Sequence, residues 1–299
     1  MERKENIDTF GATSLVAFAL LLAFNQVVIK VVNEGLQPVF FAGVRSFGAA
    51  ILVYFWIRFR RRRLDFRRDV ILWGLAIGAV FAIEFICLFV ALDLTTVTRT
   101  SIIFYSMPVW LSLAAHFLIP GERIHIAKAF GLLLAFSGVA WAILDQDAGT
   151  HDAPNLLGDL AALGGALSWG AIALLVRATP LSRVRPEMQL FYQLAVSAPL
   201  LLLAAPLFGP LVRDLQPIHI WGVAFQIVFV AAAAFLFWIW LLSVYPASGV
   251  ASFSFLSPVA GIFLGWFMLG ESADPAILGA GALVAVGIIL INRRRKKPA

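Results

Sequence analysis

Ten long apolar windows, each near the length that carries a helix across a lipid bilayer, succeed one another with short polar joints between them. They fall at 11–32, 38–57, 70–92, 97–118, 126–145, 156–177, 188–208, 219–243, 248–269 and 276–292. A bilayer core takes about 20 residues of helix. Strands of membrane barrels are about ten residues long and alternate in polarity, whereas these windows are apolar throughout. Only 13% of the 299 residues are charged and 61% are hydrophobic, while soluble domains run nearer a quarter charged. The chain therefore reads as an all-α, polytopic membrane protein with ten transmembrane helices and no separate soluble domain. Arg3 and Lys4 precede the first window as they would in a signal peptide. That window is too long for a signal core and no small-residue cleavage site follows it, so it reads as a retained span.

The positive charges give orientation. Of 23 Lys and Arg residues, 19 fall in the termini and in the joints after spans 2, 4 and 6, including seven in the segment 58–68. Only Arg99 and Arg213 fall in the joints on the other side, and Lys30 and Arg45 lie within spans. Basic loops stay in the cytoplasm, so both termini are expected there, in a bacterial inner membrane. The same clustering at helix ends argues against nucleic acid as the reason for the net charge of +6.

The windows divide five and five about the polar stretch 145–155. An odd number of spans per half inverts the second half relative to the first. The joints agree: 58–68 is rich in arginine and its counterpart after span 7 has one, while Gly121-Glu122 is followed by basic residues and Gly270-Glu271 is not. Span 4 carries Ser106-Met107-Pro108 where span 9 carries Leu256-Ser257-Pro258, and Gly131 and Gly138 are echoed by Gly279 and Gly287. The expected units are residues 1–148 and 149–299.

This order of proline, Gly-Glu and glycine-rich helix in both halves resembles the drug/metabolite transporter superfamily, in its EamA-type group. Arg45 in Phe41–Arg45 looks like that family's arginine in span 2, and Gly158-Asp159-Leu160 with Trp169 looks like the opening of its second repeat. The resemblance covers the whole chain. It implies ten helices in two inverted five-helix repeats and export of metabolites or amino acids, with the YddG-type aromatic amino-acid exporters as the nearest subgroup.

Charged groups deep in a bilayer are costly and mark function or pairing. Lys30, Arg45 and Glu84 all fall toward the extracytoplasmic half. One reading has Lys30 snorkelling to the surface and Arg45 paired with Glu84. The other has the cluster receiving a substrate carboxylate, or Glu84 carrying a proton. Thr98, Ser101, Tyr105, Ser112 and His116 recur at helical spacing in span 4, with Pro108 on the same face. That stripe is either a cavity wall or a set of interhelical hydrogen bonds. Asn25 and Gln26 sit mid-span; Trp169, Trp238 and Tyr245 are possible aromatic walls. The cavity candidates are Asn25, Gln26, Arg45, Glu84, Ser101, Tyr105, Trp169 and Ser257, with Pro108 and Pro258 as paired hinges. Gly74-x3-Gly78, Gly261-x3-Gly265 and Gly281-x3-Ala285 read as close contacts within the molecule.

The function expected is a secondary transporter exporting small metabolites, amino acids foremost, by alternating access around a central cavity, as a monomer. Other metabolites, drugs or nucleotide sugars are the alternative substrates, and an intramembrane enzyme is the alternative class. No zinc-protease pair, nucleophile elbow or phosphate loop is present. The single cysteine, Cys87, and histidines scattered at 116, 125, 151 and 219 give no basis for a metal site or cofactor.

Overall fold

The structure is a computed structural model that describes residues 7–118, 124, 126–144, 155–245, 253, 256–272 and 274–292. Gly121, Glu122, most of the 145–155 stretch and the basic residues of both termini lie outside the described residues. The described chain is helical. It runs α1 (Thr9–Gly35), α2 (Pro38–Phe59), α3 (Arg68–Leu94), α4 (Val97–Phe104), α5 (Met107–Leu118), α6 (Ile126–Leu144), α7 (Leu156–Ala178), α8 (Pro186–Ala204) and α9 (Pro217–Phe225). A π-helical stretch, Gln226–Ala234, joins α9 to α10 (Phe235–Val244), followed by α11 (Leu256–Leu269) and α12 (Pro275–Asn292). Among the described residues there is no strand; Leu36 and Val212 form one isolated antiparallel bridge.

Capping side chains and prolines set several of the helix starts. Asp8 accepts a hydrogen bond from the Gly11 amide (2.8 Å) at the start of α1, and Asn155 accepts from the Leu157 amide (3.0 Å) at the start of α7. Proline opens α2, α8 and α9, where its missing N–H costs nothing. Among the described residues, seven helices are long and apolar enough to cross a membrane, and Lys128–Leu144, Leu256–Leu269 and Pro275–Ile291 are shorter apolar helices.

Large apolar side chains cover the outside. Leu72 is 71% exposed, Trp221 74% and Leu203 78%. The polar groups are inside: Gln37, Arg45, Ser101, Asp159 and Gln226 are buried. This inversion of the soluble pattern makes hydrocarbon the natural solvent for the exterior. The chain is a polytopic, all-helical membrane protein.

Helices from the two ends of the sequence are interleaved. α6 packs most extensively on α12, α3 on α7 and α8, α2 on α8, and α1 and α4 on α11. Small residues permit the approach. A Cβ added at Gly138 would lie 2.6 Å from the Ala280 carbonyl oxygen, and one at Gly131 would lie 2.9 Å from that of Gly287. Gly74 faces the Tyr192 ring, Gly78 faces Val196, and Gly281 faces Ile262. The glycine pairs are contacts within the molecule, as their spacing predicts.

Candidate functional site

A cavity of about 460 Å³ occupies the middle of the bundle. Asn25, Gln26, Arg45, Glu84, Tyr105, Pro108, Trp169 and Ser257 all line it. The cavity reaches Lys128, Arg177 and Ile291 at one end of the molecule. That end also carries the arginine-rich joint between α2 and α3.

Several polar side chains in and beside the wall are held by one another. The Arg45 Nε donates to Gln226 Oε1 (3.0 Å), and Gln226 Nε2 donates to Asn25 Oδ1 (2.5 Å). One buried amide thus ties α1 and α2 to the π-helical stretch. A π turn inserts a residue into the helix and often marks a functional site; here it begins at Gln226, whose side chain points at Arg45. The guanidinium also lies over the Phe85 ring, 4.4 Å from its centre, a cation–π contact. Ser101 donates to Gln26 Oε1 (2.6 Å). Ser101 itself lies behind the wall rather than on it, wedged against Gly261. Trp169 stacks on Phe104 with centroids 5.2 Å apart and meets Tyr105 edge-on at 6.2 Å.

Three polar atoms in this wall have no protein partner: Gln26 Nε2, Arg45 Nη1 and Glu84 Oε2. Buried polar atoms are nearly always satisfied, so these three mark unmet hydrogen-bonding capacity beside the cavity. Arg45 and Glu84 both face the cavity, but no nitrogen–oxygen pair between them falls within 4.0 Å among the described contacts. The expected direct pairing of Arg45 with Glu84 is therefore not what the structure holds. Gln226, midway along an apolar run, has taken the place of the carboxylate. Lys30 is half-buried near the C-terminal end of α1. Its Nζ donates to the Thr95 carbonyl (2.7 Å), beyond the last turn of α3, where free carbonyls attract a cation.

The span-4 stripe is not one continuous helix. α4 ends at Phe104, and α5 restarts at Met107 just ahead of Pro108, whose ring lacks the N–H that would bond back to Phe104. Pro258 is buried in the first turn of α11 and does not line the cavity; what precedes Leu256 lies largely outside the described residues. His116 accepts from the Ile124 amide (3.2 Å), a structural contact. Trp238 lines the cavity and stacks on Phe18 at 4.7 Å. Tyr245 is no wall residue: it is buried away from the cavity and donates to Asp8 Oδ1 (2.7 Å).

The end opposite Lys128 and Arg177 is sealed by polar bonds. Asp159 accepts from Arg99 at 2.5 Å, with side-chain exposures of 0% and 6%. Asp159 also accepts from Thr95, and Arg99 donates to the Ala142 carbonyl at the end of α6. Glu271 accepts from the Val97 (2.6 Å) and Thr98 (2.8 Å) amides, so a carboxylate from the joint between α11 and α12 caps α4. Arg213 pairs with Asp93 at 2.6 Å, which holds its guanidinium above the ordinary value. Sequence reasoning noted Asp159 and Glu271 only as repeat landmarks and Arg99 only as an outer charge. Nothing in the local sequence tells that these three converge.

An apolar exterior, a bundle of helices and a central, largely apolar cavity that carries a few polar and charged groups suit a membrane protein that holds a solute. The EamA-like transporter family model matches residues 9–144 and again 156–293. The chain belongs to that family, within the drug/metabolite transporter superfamily, and is a membrane transporter, not an enzyme. It is 22% identical over 278 residues to the Uncharacterized transporter YoaV of Bacillus subtilis (strain 168), covering 92% of this chain and 94% of the relative. Similarity to the Uncharacterized transporter YvbV of the same organism is 29% over 296 residues, covering 93% and 92%. The Synechocystis sp. transporter sll0355 is 26% identical, covering 99% and 94%. A solved crystal structure, described only as that of a protein, shares the fold with a TM-score of 0.63 at 23% identity, covering 93% of this chain and 96% of the other.

Proposed function

We propose that this transporter exports small zwitterionic metabolites, amino acids foremost, from a bacterial cell across the inner membrane. One observation carries the substrate class: Gln26 Nε2 and Arg45 Nη1, two donors, and Glu84 Oε2, an acceptor, are left unpaired around one cavity. A substrate carboxylate would take the donors and its ammonium the acceptor, removing the desolvation cost each now bears. Phe85, Phe104, Trp169 and Trp238 in the same wall suit an apolar or aromatic side chain. The volume, about 460 Å³, lies in the usual range of small-molecule sites.

The mechanism we propose is alternating access by two inverted five-helix repeats, 1–148 and 149–299, with ten spans and both termini cytoplasmic. The packing supports it, because three of the larger contacts between helices have counterparts five spans on. α3 on α7 corresponds to α9 on α1, α1 on α11 to α7 on α5, and α3 on α8 to α2 on the π-helical stretch. Two matches of one family model, one per half, support the same reading. With the arginine joint in the cytoplasm, the cavity faces inward, and the Arg99–Asp159 and Glu271 contacts hold the outer side shut. Export would break those bonds and close the Lys128–Arg177 mouth. The protein works as a monomer without a cofactor.

Counterflow of labelled amino acids into liposomes containing the purified protein tests this. Exchange should proceed without an added energy source, and Arg45→Ala and Glu84→Gln should each abolish it while the protein still folds. Exchange of nucleotide sugars or uncharged drugs, with none of amino acids, would overturn the substrate assignment. Normal exchange in both variants would overturn the site.

A further inference from the structure

Away from the cavity, a seam of successive hollows follows the outside of the α2–α8 contact. Its upper part is an apolar groove of about 610 Å³. Phe47, Ile51 and Phe55 of α2 face Phe191, Ala195 and Pro199 of α8 across it, one residue per helical turn on each side. Its lower part passes Trp56, Met188 and the carboxylate of Glu187 and widens into a pocket of about 650 Å³ lined by Arg60, Arg61, Arg62, Arg63, Arg183 and Arg185. Two joints far apart in sequence thus deliver arginines to one place. Among the described contacts none of the six is in an ion pair; Asp65, the acid in the pocket, is engaged by Arg67 at 2.9 Å, which holds its carboxyl below the ordinary range.

Topological retention of arginines in the cytoplasm requires charge but no particular geometry. The geometry here is particular. α2 ends in a turn where the Arg62 amide reaches back to the Ile57 carbonyl and the Arg61 amide to that of Arg58. This arrangement normally places glycine at the left-handed position. Arg61 occupies it, with φ of 52°, so a side chain is kept where backbone strain favours none.

We propose that this seam binds an anionic phospholipid, with its headgroup phosphate among the arginines and an acyl chain along the α2–α8 groove. The charge selects the headgroup and the adjoining apolar groove selects the tail. The site lies on the lipid-facing exterior, so it is separate from the substrate cavity and does not depend on what that cavity carries.

Thermal unfolding of the purified full chain in dodecyl maltoside, with added lipid, tests the proposal. Long-chain phosphatidylglycerol should raise the melting temperature saturably, and phosphatidylcholine should not. Arg183→Ala/Arg185→Ala, both exposed, should weaken the phosphatidylglycerol response by roughly thirtyfold. Ala195→Trp, which fills the groove, should weaken it for the long-chain lipid while leaving dihexanoyl phosphatidylglycerol less affected. Equal stabilisation by both long-chain lipids would overturn the proposal, as would a full response to inorganic phosphate alone. Light scattering that finds a dimer converted to monomer by Ala195→Trp, with no lipid response, would assign the groove to a second copy instead.

Discussion

Replacing Asp159 by Asn removes one buried charge from the sealed end and leaves its partner. The carboxylate takes the Arg99 guanidinium through three contacts, Nε to Oδ1 at 3.1 Å, Nε to Oδ2 at 3.2 Å and Nη2 to Oδ2 at 2.5 Å. Charge-assisted hydrogen bonds contribute about 1.5–3 kcal/mol each, but these share two oxygens and do not add. Orphaning one member of a buried pair costs about 3–5 kcal/mol. Arg99 keeps the Ala142 carbonyl, so a loss near 3 kcal/mol is expected, about a hundredfold in an equilibrium. The exposed Asp93–Arg213 pair is the internal control: its side chains are 19% and 37% accessible, and Asp93→Asn should cost no more than about 1 kcal/mol. Unfolding of the purified variants in detergent measures both. The charge-swapped double variant Arg99→Asp/Asp159→Arg should regain part of the loss. If Asp159→Asn unfolds within about 0.5 kcal/mol of the parent and exchanges substrate at the parent rate, the pair neither supports the fold nor holds the sealed end.

Gln226→Leu removes the amide that joins Arg45 to Asn25. It should lower stability by about 1–3 kcal/mol and reduce exchange more than stability, since Arg45 loses its orientation; unchanged exchange would refute a positioning role. Gly138→Val introduces branching where a single Cβ already meets the Ala280 carbonyl at 2.6 Å. It should separate α6 from α12 and abolish folded yield on size exclusion, whereas Gly209→Ala, with φ of 106° but open space around it, should only strain one turn. Labelling of a cysteine introduced at residue 150 from outside the cell should succeed, and one introduced at residue 61 should be protected; the reverse would refute the proposed orientation.

The amino-acid sequence by itself determined that this chain lives in lipid as a bundle of apolar helices, and it singled out candidate residues for its interior. Hydropathy needs only composition over about 20 residues, and a mid-span charge or amide stands out against it, although sequence reasoning passed over Gln226 in its apolar run. Asn25, Gln26, Arg45 and Glu84 were legible for that reason, Tyr105 through the helical spacing of its stripe, and all line one cavity. What only the tertiary structure decided is which of them touch. Arg45 meets Gln226, 181 residues away, instead of Glu84, and Glu271 caps α4 across 174 residues. Asp159 closes on Arg99 in the same manner, and two arginine joints converge beside one groove. Within a helix, periodicity fixes the direction of a side chain. Between helices, the partner depends on the rotation and depth at which each helix packs, and those are set by small residues such as Gly138 and Gly287 summed over the whole bundle. No local window of sequence contains that sum.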